Sequence, residues 1–170
     1  MTIAQSYLPE FEREMGMTRT MLERVTDGIL DYTPHPKSMT TGQLASHIAQ
    51  MPEWGAITAR VDDLDINPPD GPALESSVAG SVAELMEAFD KNVADMTAAV
   101  GGLSDEQMLA QWTLLSGGHE LFTMPRVAVF QSMVLSHIIH HRAQLGVYLR
   151  MNDVPVPGMY GPSADDEQAG

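Results

Sequence analysis

Cysteine is missing altogether, which rules out disulfides, thiolate metal ligands and a cysteine nucleophile. Basic residues are scarce: nine Lys and Arg stand against 23 Asp and Glu, for a formal charge of -14. So acidic a surface repels phosphate backbones and anionic headgroups, which argues against nucleic acid or a membrane as partner. No apolar run reaches the ~20 residues of a membrane-spanning helix. The opening MTIAQSYLPEFEREM lacks the basic and apolar segments of a secretory signal, so a cytoplasmic location is expected. Repeats and low-complexity tracts are absent too. A chain of 170 residues is long enough for one domain with its own core. We read 1–170 as that domain, with 153–170 as a C-terminal tail.

What the chain has in plenty is helical periodicity. Phe11, Met15, Thr18, Leu22, Val25 and Ile29 step by threes and fours and predict a first helix over 7–31, weakened at Gly16 and frayed at Gly28. Thr40 and Gln43 have capping-box spacing ahead of Leu44, His47, Met51, Trp54 and Thr58, a second helix that Pro52 should kink or divide. The acidic, proline-rich DDLDINPPDGP has too little apolar content to pack and reads as a long crossover. Val78, Val82, Leu85, Phe89, Val93, Met96 and Val100 predict a third helix over 76–100, capped by Ser76 or Ser77. A short turn capped by Ser104 and Gln107 follows, and two β-leaning runs around Ser116, Gly117 and Gly118 suggest a small hairpin. The expected fold is all-α: a four-helix bundle with one long crossover and a small hairpin before the last helix.

The last helix organises the rest. From Pro125 to Asn152 nothing breaks it before Gly146, with Thr123 or Met124 as its cap, Asn152 as its left-handed stop and Pro155 beyond. His137 and His141, four apart, lie roughly 40° apart around the axis. Phe130, Met133, Val134, Gln144, Leu145 and Tyr148 share their face. His47 points inward from the second helix in the same way. Three inward imidazoles are hard to satisfy without a cation, because a buried unpaired polar group costs roughly 1–3 kcal/mol. Neutral imidazole suits zinc, nickel, copper or iron, and three such ligands leave at least one position open. Ile138 stands where a zinc protease of the HExxH type has its glutamate. His35, between Pro34 and Pro36, falls in a surface loop, and His119, beside the hairpin turn, is expected to face solvent and not to be a ligand. The opposite face, with Ala128, Leu135, Ile139, Ala143 and Gly146, is apolar and mostly small. A second copy is expected to cover it as a homodimer, with Leu135, Ile139 and Gly146 in the two-fold contact.

Three stretches, KSMTTGQLASHIAQMPEW, WTLLSGGHELFTMPR and SHIIHHRAQLGVYLRMNDVPVPGMYGPSADD, together resemble the DinB-like family of bacterial metalloenzymes. The HxxxHRxQ helix and the VPVPxxYGPSADD tail are the most specific parts. The resemblance implies an up-down-down-up four-helix bundle, usually dimeric, with one metal-ligating histidine on helix two and two on helix four. Matched here, those are His47, His137 and His141, the three that the helical faces select. The family pattern does not make His140 a ligand; from its place on the helix we read it as a residue behind the ligands or at an interface, with exchange against His141 as the lesser alternative, and Arg142, off the metal face, as serving an interface or the tail.

Some family members activate low-molecular-weight thiols on the metal for transfer or isomerisation. The resemblance therefore implies a zinc- or nickel-dependent transferase or hydrolase acting on a thiol or water nucleophile. Trp54, Met133 and Tyr148 would be its pocket walls. The competing expectation is a metal-binding stress-response dimer without turnover. No Asp or Glu is placed as a general base; Glu53 is nearest in sequence, and the catalytic residues stay unassigned.

Overall fold

The computed structural model describes residues 1–74 and 76–166. Four long helices carry the fold: α1 (Ile3–Leu22), α2 (Thr41–Arg60), α3 (Val82–Gly101) and α6 (Ser136–Met151). α1 and α2 each pack against both α3 and α6. Shorter pieces join them: α4 (Asp105–Leu109), α5 (Arg126–Val129) and a π-helical segment, Phe130–Leu135, that runs from α5 into α6. Thr2, Thr40 and Ser104 each close a capping box with the glutamine three residues on, satisfying two end donors apiece. α2 is buried along most of its length. Gly55 lets it approach α3 closely, since a Cβ there would collide with the Met96 side chain. Helix α2 runs unbroken through Pro52, where burial on several sides outweighs the missing hydrogen bond.

The all-α expectation needs correction, because a three-stranded sheet lies beside the helices. β2 (Gln111–Ser116) and β3 (His119–Pro125) form the expected hairpin, with Gly117 and Gly118 at φ 62 and 76 in its turn. Positive φ at both positions suits the right-handed twist of a tight hairpin. β1 (Asp63–Asp65) comes from the stretch read as an unpacked crossover and pairs in parallel with β2, Leu64 opposite Leu114. Asp65 fastens it: its carboxylate accepts the amides of Asn67, Gly117 and Gly118 at 2.7–3.0 Å. Leu64 and Ile66 then pack against a small second core of Trp112, Leu114 and Val129.

Helix ends moved as well. α1 stops at Leu22 and a single 3-10 turn, Asp27–Ile29, replaces its expected last stretch. α3 starts six residues late, capped by Ser81 and not by Ser76 or Ser77, and Val78 is exposed. The last helix begins at Arg126 with Pro125 as its cap residue, and its left-handed stop is Asp153, at φ 56, one residue past Asn152. Leu135 is buried inside the single chain, and Gly146 faces Met21 and Val156. Ala143, Val147 and Met151 remain open on that side.

The tail is tied down by charge. Arg142, fully buried on α6, donates to the Glu14 carboxylate at 2.7 Å, the Glu14 carbonyl at 3.0 Å, Thr18 Oγ1 at 3.1 Å and the Tyr160 hydroxyl at 2.6 Å. Tyr160 in turn donates to Glu14 at 2.8 Å, and Arg13 pairs with the other carboxylate oxygen. Further along, Arg150 holds Asp165, which also accepts the amide of Val156. Arg142 thus serves the tail, whose last four residues, 167–170, lie outside the described residues.

Candidate metal centre

α2 carries His47, and the start of α6 carries His137 and His141. One nitrogen from each of the three lies within 4.8 Å of the other two. The rings meet at 4.6–5.2 Å between centroids, with His47 edge-on to both partners. His141 is buried, and His47 and His137 are half-buried. His35 is an exposed loop residue, and His119, the first residue of β3 beside the hairpin turn, is exposed as well. Glu53 also faces solvent, away from the imidazoles.

The hydrogen bonds on the far side of the two α6 rings fix what the near side offers. His137 Nδ1 lies 3.3 Å from the Met133 carbonyl, a group that only accepts, so Nδ1 carries the proton. His141 Nδ1 lies 2.7 Å from Gln144 Oε1, again an acceptor. Each ring then presents a bare Nε2 lone pair, and those two atoms are 2.8 Å apart. Two facing lone pairs need a cation or a proton between them. Outward partners that orient a ring and set its tautomer are the usual support of metal-ligating histidines. The donor set fits a divalent ion of the zinc or nickel type.

Electrostatics favour the same state. Burial first, then the neighbouring His141 and His137 rings, push the His47 imidazole down to about 4. His141 is held below its ordinary value chiefly by burial, helped by His137 and His140 and opposed by Gln144. At neutral pH both are in the unprotonated form that binds metal.

His47 and His137 also line a cavity of ≈ 160 Å³. Its walls are Met51, Trp54 and Thr58 from α2, Val129, Met133 and Val134 from the last helix, and Trp112, Leu114 and Phe122 from the hairpin. The sheet therefore roofs the space beside the histidines. Of the expected pocket residues, Trp54 and Met133 are there. Tyr148 is not: its hydroxyl donates to the Met39 carbonyl at 3.2 Å and its ring meets Tyr32 edge-on. It shares the angular face of His141 but stands two turns along, roughly 10 Å away down the axis. His140 is exposed, its ring 5.0 Å from that of His141 and outside the triad.

Three contributors escaped the reading of the sequence. Trp112 and Leu114 alternate along β2, a pattern that signals one buried strand face but not what that face covers. Arg126, buried at the start of α5, donates to the carbonyls of Thr58 and Val61, both at 2.9 Å, and pairs with Asp62. It thereby holds the end of α2 against the hairpin's exit. Nothing in the local sequence marks it. The π-helical segment leads into Ser136 and His137, and π turns recur at functional sites.

The solved structure of a DinB-like protein from Bacillus cereus ATCC 10987 superposes with a TM-score of 0.69 at 23% identity, over 94% of this chain and 98% of its own. A DinB-like protein from Bacillus subtilis gives 0.66 at 20% identity, over 89% and 95%. At such identities the likeness speaks for the fold. No curated protein matches the chain. The sequence pattern of the DinB superfamily matches residues 10–145, which include all three inward histidines. By that match the chain belongs to the DinB superfamily.

Proposed function

We propose that the chain is a metal-dependent enzyme in which His47, His137 and His141 hold one divalent ion, zinc or nickel, for activation of a thiol or water nucleophile. The observation that carries this reading is the pair of bare Nε2 atoms 2.8 Å apart, with His47 edge-on to both, beside a cavity and not inside a closed core. Membership of a superfamily that is usually metal-binding supports it. Three neutral ligands would leave such an ion its full charge, enough to lower the pKa of a bound water to about 7 and to hold a bound thiol as its thiolate. The chain's own residues do the rest. Met133 and Gln144 hold the two α6 rings in their ligating tautomer. The hairpin excludes water on the cavity side, where Trp112 and Leu114 are buried. Nucleophile and leaving group must exchange protons with solvent, because Glu53 points outward and the triad contains no carboxylate.

The test starts from tag-free protein and elemental analysis. About one divalent ion per chain is expected, lost in His47→Ala and in the His137→Ala, His141→Ala pair but kept in His35→Ala and His119→Ala. In cobalt- or nickel-substituted protein, small thiols should raise a sulfur-to-metal charge-transfer band. A spectrum that answers azide and ignores every thiol would move the reading to water activation. Full occupancy in the double variant would end it.

A further inference from the structure

Ligand pockets are mostly apolar with a few placed polar groups, and the cavity beside the triad takes this to an extreme. At ≈ 160 Å³ it is about the size of the engineered apolar cavity in another protein that stays dry and takes up benzene. No charged side chain lines it, and the surface exposed inside is almost wholly hydrocarbon. Trp112 offers it no donor, because its Nε1–H is sealed within the protein. Thr58 is buried, and the polar residues that remain are His47 and His137.

Such walls decide what can fill the space. A water would find few of the polar partners it needs. A hydroxyl, carboxylate or ammonium seated inside would give up its hydration and gain nothing in return. Hydrocarbon gains in proportion to the area it buries and asks no direction of its partner. Met133 lines the cavity and is also 36% exposed, which puts a flexible thioether between the cavity and solvent. Because His47 and His137 belong both to the wall and to the triad, a group that fills the cavity lies against two of the three imidazoles.

We propose that this cavity is the specificity pocket of the triad and takes a wholly hydrocarbon group about the size of a phenyl ring. The inference rests on the metal reading above and names its substrate class. The substrate has one bare hydrocarbon end, which sits between the sheet and the imidazoles of His47 and His137. Its polar, reacting part stays outside the cavity, at the histidines. Small metabolites that are polar throughout gain nothing from this pocket. Leu114 and Phe122 from the hairpin and Val129 from the last helix set its size.

Toluene and phenol have nearly the same shape and differ by a methyl against a hydroxyl, so they serve as probes on the full chain. By ligand-observed NMR the chelated protein should bind toluene about tenfold tighter than phenol, and benzoate not at all. In protein with methyl-labelled methionine, toluene should shift the Met51 and Met133 signals. Met151 and Met159, which line a separate groove, should stay unmoved. Leu114→Trp should fill the cavity and abolish toluene binding; if that variant does not fold, the methionine shifts of the wild type carry the same decision. In cobalt-substituted protein the paramagnetic ion should broaden the toluene signals, as zinc does not. Absence of toluene binding, phenol bound as tightly, or shifts at Met151 and Met159 in place of Met51 and Met133 would each overturn the proposal. So would bound cobalt that leaves toluene unbroadened, since the pocket would then lie apart from the ion. Protein that takes up no metal yet binds toluene at Met51 and Met133 would end the metal reading and leave the hydrocarbon preference of the pocket standing.

Discussion

His141 and Arg142 are neighbours on one helix, both buried, and they enter two clusters of opposite kind. Around Arg142 every charge is answered: a guanidinium, a carboxylate, a phenol, a hydroxyl and a carbonyl meet within 3.1 Å. Around His141 the near side is left unanswered, with the lone pair of one imidazole aimed at that of another. A buried polar group that has found its partners holds structure together. One whose facing lone pairs need a cation or a shared proton to complete them leaves room for a ligand. Nearness to the core therefore separates neither cluster from the other; satisfaction does.

The largest effect that could break this comparison lies on the satisfied side. Arg142→Met leaves the Glu14 carboxylate buried with Arg13 as its sole cation, and a broken buried pair costs roughly 3–5 kcal/mol. Urea denaturation should show that loss. A change below about 1 kcal/mol would mean that the tail cluster is no more structural than the triad. Next comes the unsatisfied side. In chelated protein the double change His137→Leu, His141→Leu removes two facing lone pairs and substitutes groups of comparable bulk. Stability should hold within about 1 kcal/mol or rise. A large loss by the same urea assay would show that the imidazoles are already paired without an ion.

The smallest effect is on pH. His47 is pushed down to about 4, against an ordinary 6.5, so between those values the unfolded chain takes up the proton first. Stability then rises with pH through that window and is lost as pH falls from 6.5 towards 4. The ring is only half-buried, which makes the slope shallow. Thermal melts of chelated wild type and His47→Leu across pH 4–7 should lie closest near pH 7 and separate towards the acid end, where the wild type loses stability and the variant has the flatter profile. Parallel profiles would remove His47 from the account.

Much of this was legible in the residues. The triad could be found because a period of 3.6 puts positions four apart on one face, and because Thr40 and Gln43 announce the start of α2. The hairpin could be found because two glycines at positive φ leave a local mark. β1 could not. Three residues pair only because Leu114, fifty positions on, lies alongside Leu64, and no local propensity reports a partner so distant. Tyr148 misled because the angular face was read without the axial rise. The role of Arg142 rested on Glu14, whose signal was a carboxylate set among Phe11, Met15 and Thr18 on the buried stripe of α1.

The π-helical segment bears on what a deletion would do. A π turn closes over five residues where an α turn closes over four, so it stores one extra residue in the helix. Removing a single residue anywhere in 130–135 would let the α ladder run straight through. The turns on either side would keep their angular relation to His137, because the wide turn already absorbs the extra residue. Val129 would stay on the cavity wall and Arg126 at the carbonyls ending α2. Only the segment itself would be re-aimed, and with it Met133 and Val134 of the cavity wall, so that here the number of residues, beyond their identity, decides what faces the imidazoles.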